Sequence, residues 1–267
     1  MATTRSFDGT EIAFKQNASR KPGALTTIIA ACQGAAFDKF DEVIRTTTAT
    51  ANMDFRGSGA SGRPKTKWDA SVPAYARDIA AVIDAVKTPA AVVVGYSHTA
   101  EGVVHLAITE RQKVAALVLI EPALFVSREQ LWERVKLADQ GHFEEALKLV
   151  LSFANPGLTG EQLDEGAKHV LKTYSGSAET IASEWRARAE YKISEKKLAQ
   201  ISAPTLVIGG TESNIKDDVA RTASAIPNAS LFWIQGATHF LNEQQGKEAA
   251  EITNCFLSQV LKNTTSH

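Results

Sequence analysis

A chain of 267 residues, 44% hydrophobic and 22% charged, has the ordinary balance of a globular fold and is long enough to bury a large core. Lys and Arg number 29 against 30 Asp and Glu, a formal net charge of −1, so neither nucleic acid nor an anionic membrane is expected as a partner. No apolar run approaches the roughly 18 residues that span a bilayer, and the opening MATTRSFDGTEIAF lacks the apolar stretch of a secretory signal, so a cytoplasmic setting is the expectation.

That opening alternates like a strand or hairpin. LTTIIAA (25–31) and TTTATANM (46–53) read as strands, the second weakened by its polarity. SVPAYARDIAAVIDAV (71–86) places Tyr75, Ile79, Val82, Ile83 and Val86 on one helical face, with Ser71 as cap and Pro73 in the first turn. AAVVVG (90–95) and VAALVLI (114–120) are continuous apolar runs, as strands covered on both faces of a parallel sheet are. From about Ser127 to Gln200 the chain carries helix signals only, interrupted at Gly141-His142, Pro156-Gly157 and Ser175-Gly176-Ser177. Strand and helix then alternate again through PTLVIGG (204–210), a helix near 215–226, SLFWIQG (230–236) and a closing helix over about 243–261. The pattern predicts an α/β fold, a mostly parallel sheet with helices on both faces. Residues 1–126 and 201–267 form the core, and residues 127–200 an inserted helical cap over the sheet's carboxyl edge. Trp132, Phe153 and Trp185 are expected to pack rather than to line a pocket, and His105 and His169 to be plain helical positions. Cys32 and Cys255, far apart and in apolar surroundings, are expected to be buried and free, and no cysteine–histidine spacing suggests zinc.

Ligands of open α/β sheets bind beyond the carboxyl ends of the strands. The run AVVVGYSHTAEG (91–102) leaves a strand and puts Ser97 on the turn before a helix. A serine hydroxyl attacks only when a base takes its proton, and SLFWIQGATHF offers His239 in the loop before the last helix. His98 is a rival, but adjacent side chains on a turn point apart, so its backbone N–H is expected to matter more than its ring.

This order resembles the α/β-hydrolase superfamily over nearly the whole chain. MDFRGSGASGRP (53–64) is similar to its D-x-R-G-x-G-x-S segment, CQGAAFD (32–38) stands where its oxyanion loop falls, GYSH resembles the nucleophile elbow, APTLVIGGTES (203–213) the strand leading to the acid, and GATHF the histidine loop. The departures are Thr99 in the last glycine position of G-x-S-x-G, Gln33 for the usual histidine, and Ser213 where the acid normally stands. Three options for the acid remain: Glu121, directly after the strand that follows the nucleophile helix, where haloalkane dehalogenases and quinaldine-type dioxygenases carry theirs; Glu212; or none. Asp54, Arg56 and Gly57 read as structural, an ion pair and a turn holding their loop, and the small-residue run 57–61 lacks the ending of a phosphate loop.

The resemblance implies a serine hydrolase acting on a small, mostly apolar ester or lactone. Ser97 would be the nucleophile, His239 the base, Glu121 the residue orienting it, and the backbone N–H groups of Ala35 and His98 the oxyanion hole. It implies no metal or organic cofactor and a small-molecule substrate, with a homodimer possible. The alternatives are a cofactor-independent dioxygenase, which shares Ser97-His98, the acid after the next strand and Thr238-His239-Phe240; hydroxynitrile lyase chemistry; and a non-catalytic ligand receptor on the same scaffold.

Overall fold

The computed structural model describes residues 1–20, 25–31, 37–63, 70–173 and 178–264. The chain opens with the antiparallel hairpin β1 (Ala2–Arg5) and β2 (Glu11–Asn17), followed by β3 (Thr26–Ala30), α1 (Asp38–Ile44), β4 (Ala49–Met53), α2 (Val72–Ala85), β5 (Ala91–Tyr96), α3 (Ala100–Thr109) and β6 (Val114–Ile120). Five helices come next: α4 (Arg128–Asp139), α5 (Phe143–Ala154), α6 (Gly160–Thr173), α7 (Ala178–Glu190) and the short α8 (Glu195–Leu198). The chain then returns through β7 (Thr205–Gly210), α9 (Lys216–Ala225), β8 (Ala229–Ile234), α10 (Leu241–Gln244) and α11 (Gly246–Thr264).

The eight strands form one sheet in the order β1-β2-β4-β3-β5-β6-β7-β8, parallel from β4 to β8. Its central strands are apolar throughout because successive side chains enter different cores. Val92, Val94 and Tyr96 join Phe40, Ile234 and Leu257 on the α1/α11 face. Ala91 and Val93 join Ile79, Val103 and Val219 on the face covered by α2, α3 and α9. The chain passes from β3 to β4 on one side and returns to β5 on the other, so the strand order reverses between β3 and β5, and Ser97 leaves the sheet at that point.

Several local expectations are met or adjusted. Ser71 caps α2 by accepting from the Ala74 N–H at 3.2 Å, with Pro73 in the first turn. β4 starts only at Ala49, because the N–H groups of Thr46, Thr47 and Thr48 are bonded back to carbonyls of α1, a helix the sequence reading lacked. The last helical stretch is broken into α10 and α11. Cys255 is exposed on α11, contrary to the expectation of burial: the core side of that helix is taken by Ala249, Ala250 and Leu257. Cys32 lies outside the described residues. No helix among the described residues is long and apolar enough to cross a membrane.

Between β6 and β7, α4 to α7 share an apolar cluster of their own, including Val135, Leu147, Ile181 and Trp185. They are tied to the carboxyl edge of the sheet at several points. Thr180 donates to the Gly57 carbonyl beyond β4 at 3.2 Å, and Arg188 donates to Glu101 on α3 at 3.0 Å and to the Ala123 carbonyl beyond β6 at 2.8 Å.

Arg56 is buried in the loop after β4, but its partner is not Asp54. Its Nε and Nη2 donate to Asp78 of α2 at 2.7 and 2.6 Å, and its Nη1 to Asp8 of the β1–β2 turn at 2.7 Å. Asp54 instead accepts from the Ala60 N–H, closing its own turn. Burial pushes the Asp78 carboxyl up, while Arg56 and Ser6 pull it back. Arg56→Met is therefore expected to strand a buried carboxylate and to cost about 3–5 kcal/mol in urea unfolding; a loss under about 1 kcal/mol would show the pair to be dispensable.

Candidate active site

The turn after β5 is tight for identifiable reasons. A Cβ on Gly95 would sit 2.9 Å from Cα of Ala100, so only glycine lets α3 start this close to the strand. Ser97 then adopts φ +52°, in the left-handed region that a non-glycine residue occupies at a cost of about 1–3 kcal/mol. Thr99 fills the place where a second glycine is usual. Its hydroxyl accepts from the Tyr96 N–H at 2.9 Å and lies 2.7 Å from the Ala30 carbonyl, fastening the turn to the end of β3. The departure from the motif thus adds a clamp.

Glu121 follows β6 directly and is also left-handed, at φ +48°. It is fully buried. A buried carboxylate needs donors, and three reach it: the Gly210 N–H on Oε1 at 2.6 Å, the Ser213 hydroxyl on Oε2 at 2.6 Å, and His239 Nδ1 at 2.9 Å from Oε2. Ser213, in the position of the usual acid, holds the acid that comes from the neighbouring strand. Gly210 has a second duty, because a Cβ there would fall 2.2 Å from the Ala237 carbonyl. Its absence lets the loop after β8 bring His239 in.

A carboxylate only accepts, so His239 must donate from Nδ1 and present a bare Nε2. That nitrogen is 3.0 Å from Ser97 Oγ. The ring is further held by stacking on Tyr96, centroids 5.6 Å apart, and the Tyr96 hydroxyl donates to the His239 carbonyl at 2.7 Å. Ser97, His239 and Glu121 thus form one continuous hydrogen-bonded line. Glu212 is outside it, exposed beside Thr211. Ala35 lies outside the described residues. Among those residues no cluster of His, Cys, Asp or Glu is close enough to hold a metal ion.

Ser97 and His239 open into a cavity of about 200 Å³ walled mainly by apolar side chains of α5 to α7, with Val150, Phe153 and Trp185 among them. Phe153 and Trp185 are pocket walls, against the expectation that they would only pack. Trp132 does not line the cavity and is left 39% exposed. The His98 ring also borders the cavity, its Nε2 covered, without a hydrogen-bond partner and 3.7 Å from Glu184. Burial pushes this imidazole down to about 3, and the positive Arg188 adds to the effect. His105 is more than a plain helical position, since its Nδ1 lies 3.0 Å from the Tyr191 hydroxyl.

A model of the alpha/beta hydrolase family matches residues 33–252. The chain belongs to that family. This hydrolase fold is shared with an enol-lactonase from Burkholderia xenovorans LB400 (19% identity, TM-score 0.81, covering 96% of this chain and 100% of that one). It is shared also with a thermophilic esterase from Thermogutta terrifontis (21%, 0.79, 97% and 98%) and a bromoperoxidase from Bacillus anthracis (18%, 0.73, 96% and 99%). At these identities the likeness is one of fold. No curated protein matches the chain in sequence.

Sequence reasoning about this chain missed the supports of the line, Tyr96, Thr99 and Ser213, and the charged residues under the helices. The second group had a signal. Arg134 shares the buried stripe of Leu131, Val135 and Ala138, and Glu184 and Arg188 that of Ile181 and Trp185.

The neutral His98 has a consequence for pH. In the unfolded chain its imidazole titrates near 6.5, in the folded protein near 3, so between these values the unfolded state binds the extra proton and stability is lost as the pH is lowered from 6.5 towards 3. His98→Gln is expected to flatten this part of the stability curve in urea titrations between pH 6.5 and 4. An unchanged slope would mean that water reaches the ring nitrogen.

Proposed function

We propose that this protein is a serine hydrolase cleaving a small, mostly apolar ester or lactone through an acyl-enzyme. The observation that carries the reading is the Ser97–His239–Glu121 line opening into the cavity. His239 Nε2 takes the Ser97 proton as Oγ attacks the carbonyl carbon, Glu121 fixes the tautomer and balances the imidazolium, and His239 returns the proton to the departing alkoxide. Water, deprotonated by the same nitrogen, then releases the acid. The N–H of His98 at the start of the α3 turn, with that of Ala35, receives the oxyanion; one such donor contributes about 3 kcal/mol to the transition state.

Residues 127–200 act as the cap, and the apolar walls of α5 to α7 select a compact substrate of limited polarity. The enol-lactonase and esterase of like fold support ester or lactone cleavage at such a site. The chemistry assigned here uses no cofactor.

A small fluorophosphonate is expected to add one covalent label to the wild type and none to Ser97→Ala, read by intact mass. A folded wild type that stays unlabelled by this and a smaller probe would remove the nucleophile. Glu121→Gln is expected to lower kcat on the order of 10⁴-fold by removing the acceptor that sets the His239 tautomer. Glu212→Gln should leave kcat unchanged, and the reverse ranking would move the acid to Glu212.

A further inference from the structure

Arg134 is 3% exposed on α4 and lines the same cavity as Ser97 and His239. Its Nε is covered and has no hydrogen-bond partner, and Arg134 makes no ion pair among the described residues. Its guanidinium lies over the Phe153 ring, 5.6 Å from the centroid, and Phe153 too lines the cavity. Of the neighbouring carboxylates, Glu101 holds Arg188, and neither Glu101 nor Glu184 is within ion-pair distance of Arg134. Arg134 and Phe153 also border an outer groove that holds Glu133, which is exposed and beyond ion-pair distance from Arg134.

Burial and the positive Arg188 bring the Arg134 guanidinium down to about 10, so it stays charged at neutral pH. A buried cation without a counter-ion destabilises the fold that holds it. Arg188 borders the same cavity but is ion-paired with Glu101 and donates to the Ala123 carbonyl. One uncompensated charge in an apolar cavity calls for one negative charge from the ligand, and the planar guanidinium fork matches a carboxylate.

We infer that Arg134 receives a free carboxylate of the substrate, so that the preferred ester or lactone bears a second, anionic end. This rests on the hydrolase reading above and narrows its substrate class.

The test compares monoethyl adipate with its neutral isostere ethyl adipamate, following ethanol release. The wild type should favour the acid by about 10- to 100-fold in kcat/KM, the worth of one charge-assisted hydrogen-bonded pair. In Arg134→Gln that preference should vanish, chiefly through KM, while the amide ester changes within about threefold. The variant's Tm should be equal or higher, since a buried unpaired charge is gone; a purely structural arginine would lower it. Equal use of the two esters by the wild type, or an intact preference in Arg134→Gln, would overturn the inference. If neither ester is turned over, fluorophosphonate labelling of Ser97 decides the hydrolase reading. Calorimetric titration with adipate then decides separately: binding lost in Arg134→Gln sustains the carboxylate site, and equal or absent binding ends it.

Discussion

The placement of one buried carboxylate organises the carboxyl edge of this sheet. Glu121 is left without water, and its charge must be met by donors that other strands deliver. Two come from the end of β7, the Gly210 N–H and the Ser213 hydroxyl, and the third from His239 after β8. Three consecutive chain crossings therefore converge on a single side chain. A carboxylate at 213 would set two negative charges at hydrogen-bond distance, so the serine there is what makes the position after β6 usable for the acid.

Strain is concentrated where this convergence is used. Ser97 and Glu121 both hold left-handed backbone, and each is tied down beyond its own φ and ψ. The Ser97 carbonyl accepts from the Ala123 N–H at 3.2 Å, and the Glu121 N–H donates to the Ile208 carbonyl at 2.8 Å. Thr99 and Tyr96 add side-chain bonds to the same turn. Non-glycine residues keep such conformations only when their surroundings over-determine them. The unusual Thr99 belongs to that set of restraints, and it gives the turn through hydrogen bonds some of the definition that a second glycine would give through close approach.

The architecture was open to sequence reading because the sheet's physics is written in period and run length. Fully apolar runs such as VAALVLI announce a strand covered on both faces, and the long helical stretch from 127 to 200 stands out against them. Ser97 and Glu121 were visible because each follows directly on a strand, and His239 because it lies in the loop after β8, where chain direction alone decides which end of the sheet a residue reaches. Partnerships across the fold were not visible. Nothing local to Asp54-Phe55-Arg56 says that Arg56 will choose Asp78 and Asp8 over its near neighbour, since that choice depends on how α2 and the first hairpin pack. Ser213 showed only as a missing acid, because its role is defined by a residue 92 positions away.

Three buried arginines show why partnership, and not burial, separates scaffold from site. Arg56, Arg134 and Arg188 are 1%, 3% and 8% exposed. Arg56 is shared between two carboxylates and joins the hairpin, the loop after β4 and α2. Arg188 spends its donors on Glu101 and a backbone carbonyl and joins the inserted helices to the sheet edge. Both are closed systems, in which a ligand would have to displace a charge already satisfied. Arg134 has the same burial and an aromatic face beside it, but no counter-ion. The first two stabilise by being paired; the third leaves its desolvation uncompensated until something negative enters the cavity. The helical insertion thus carries a docking cation on α7 and an open one on α4, and both border the cavity into which Ser97 opens.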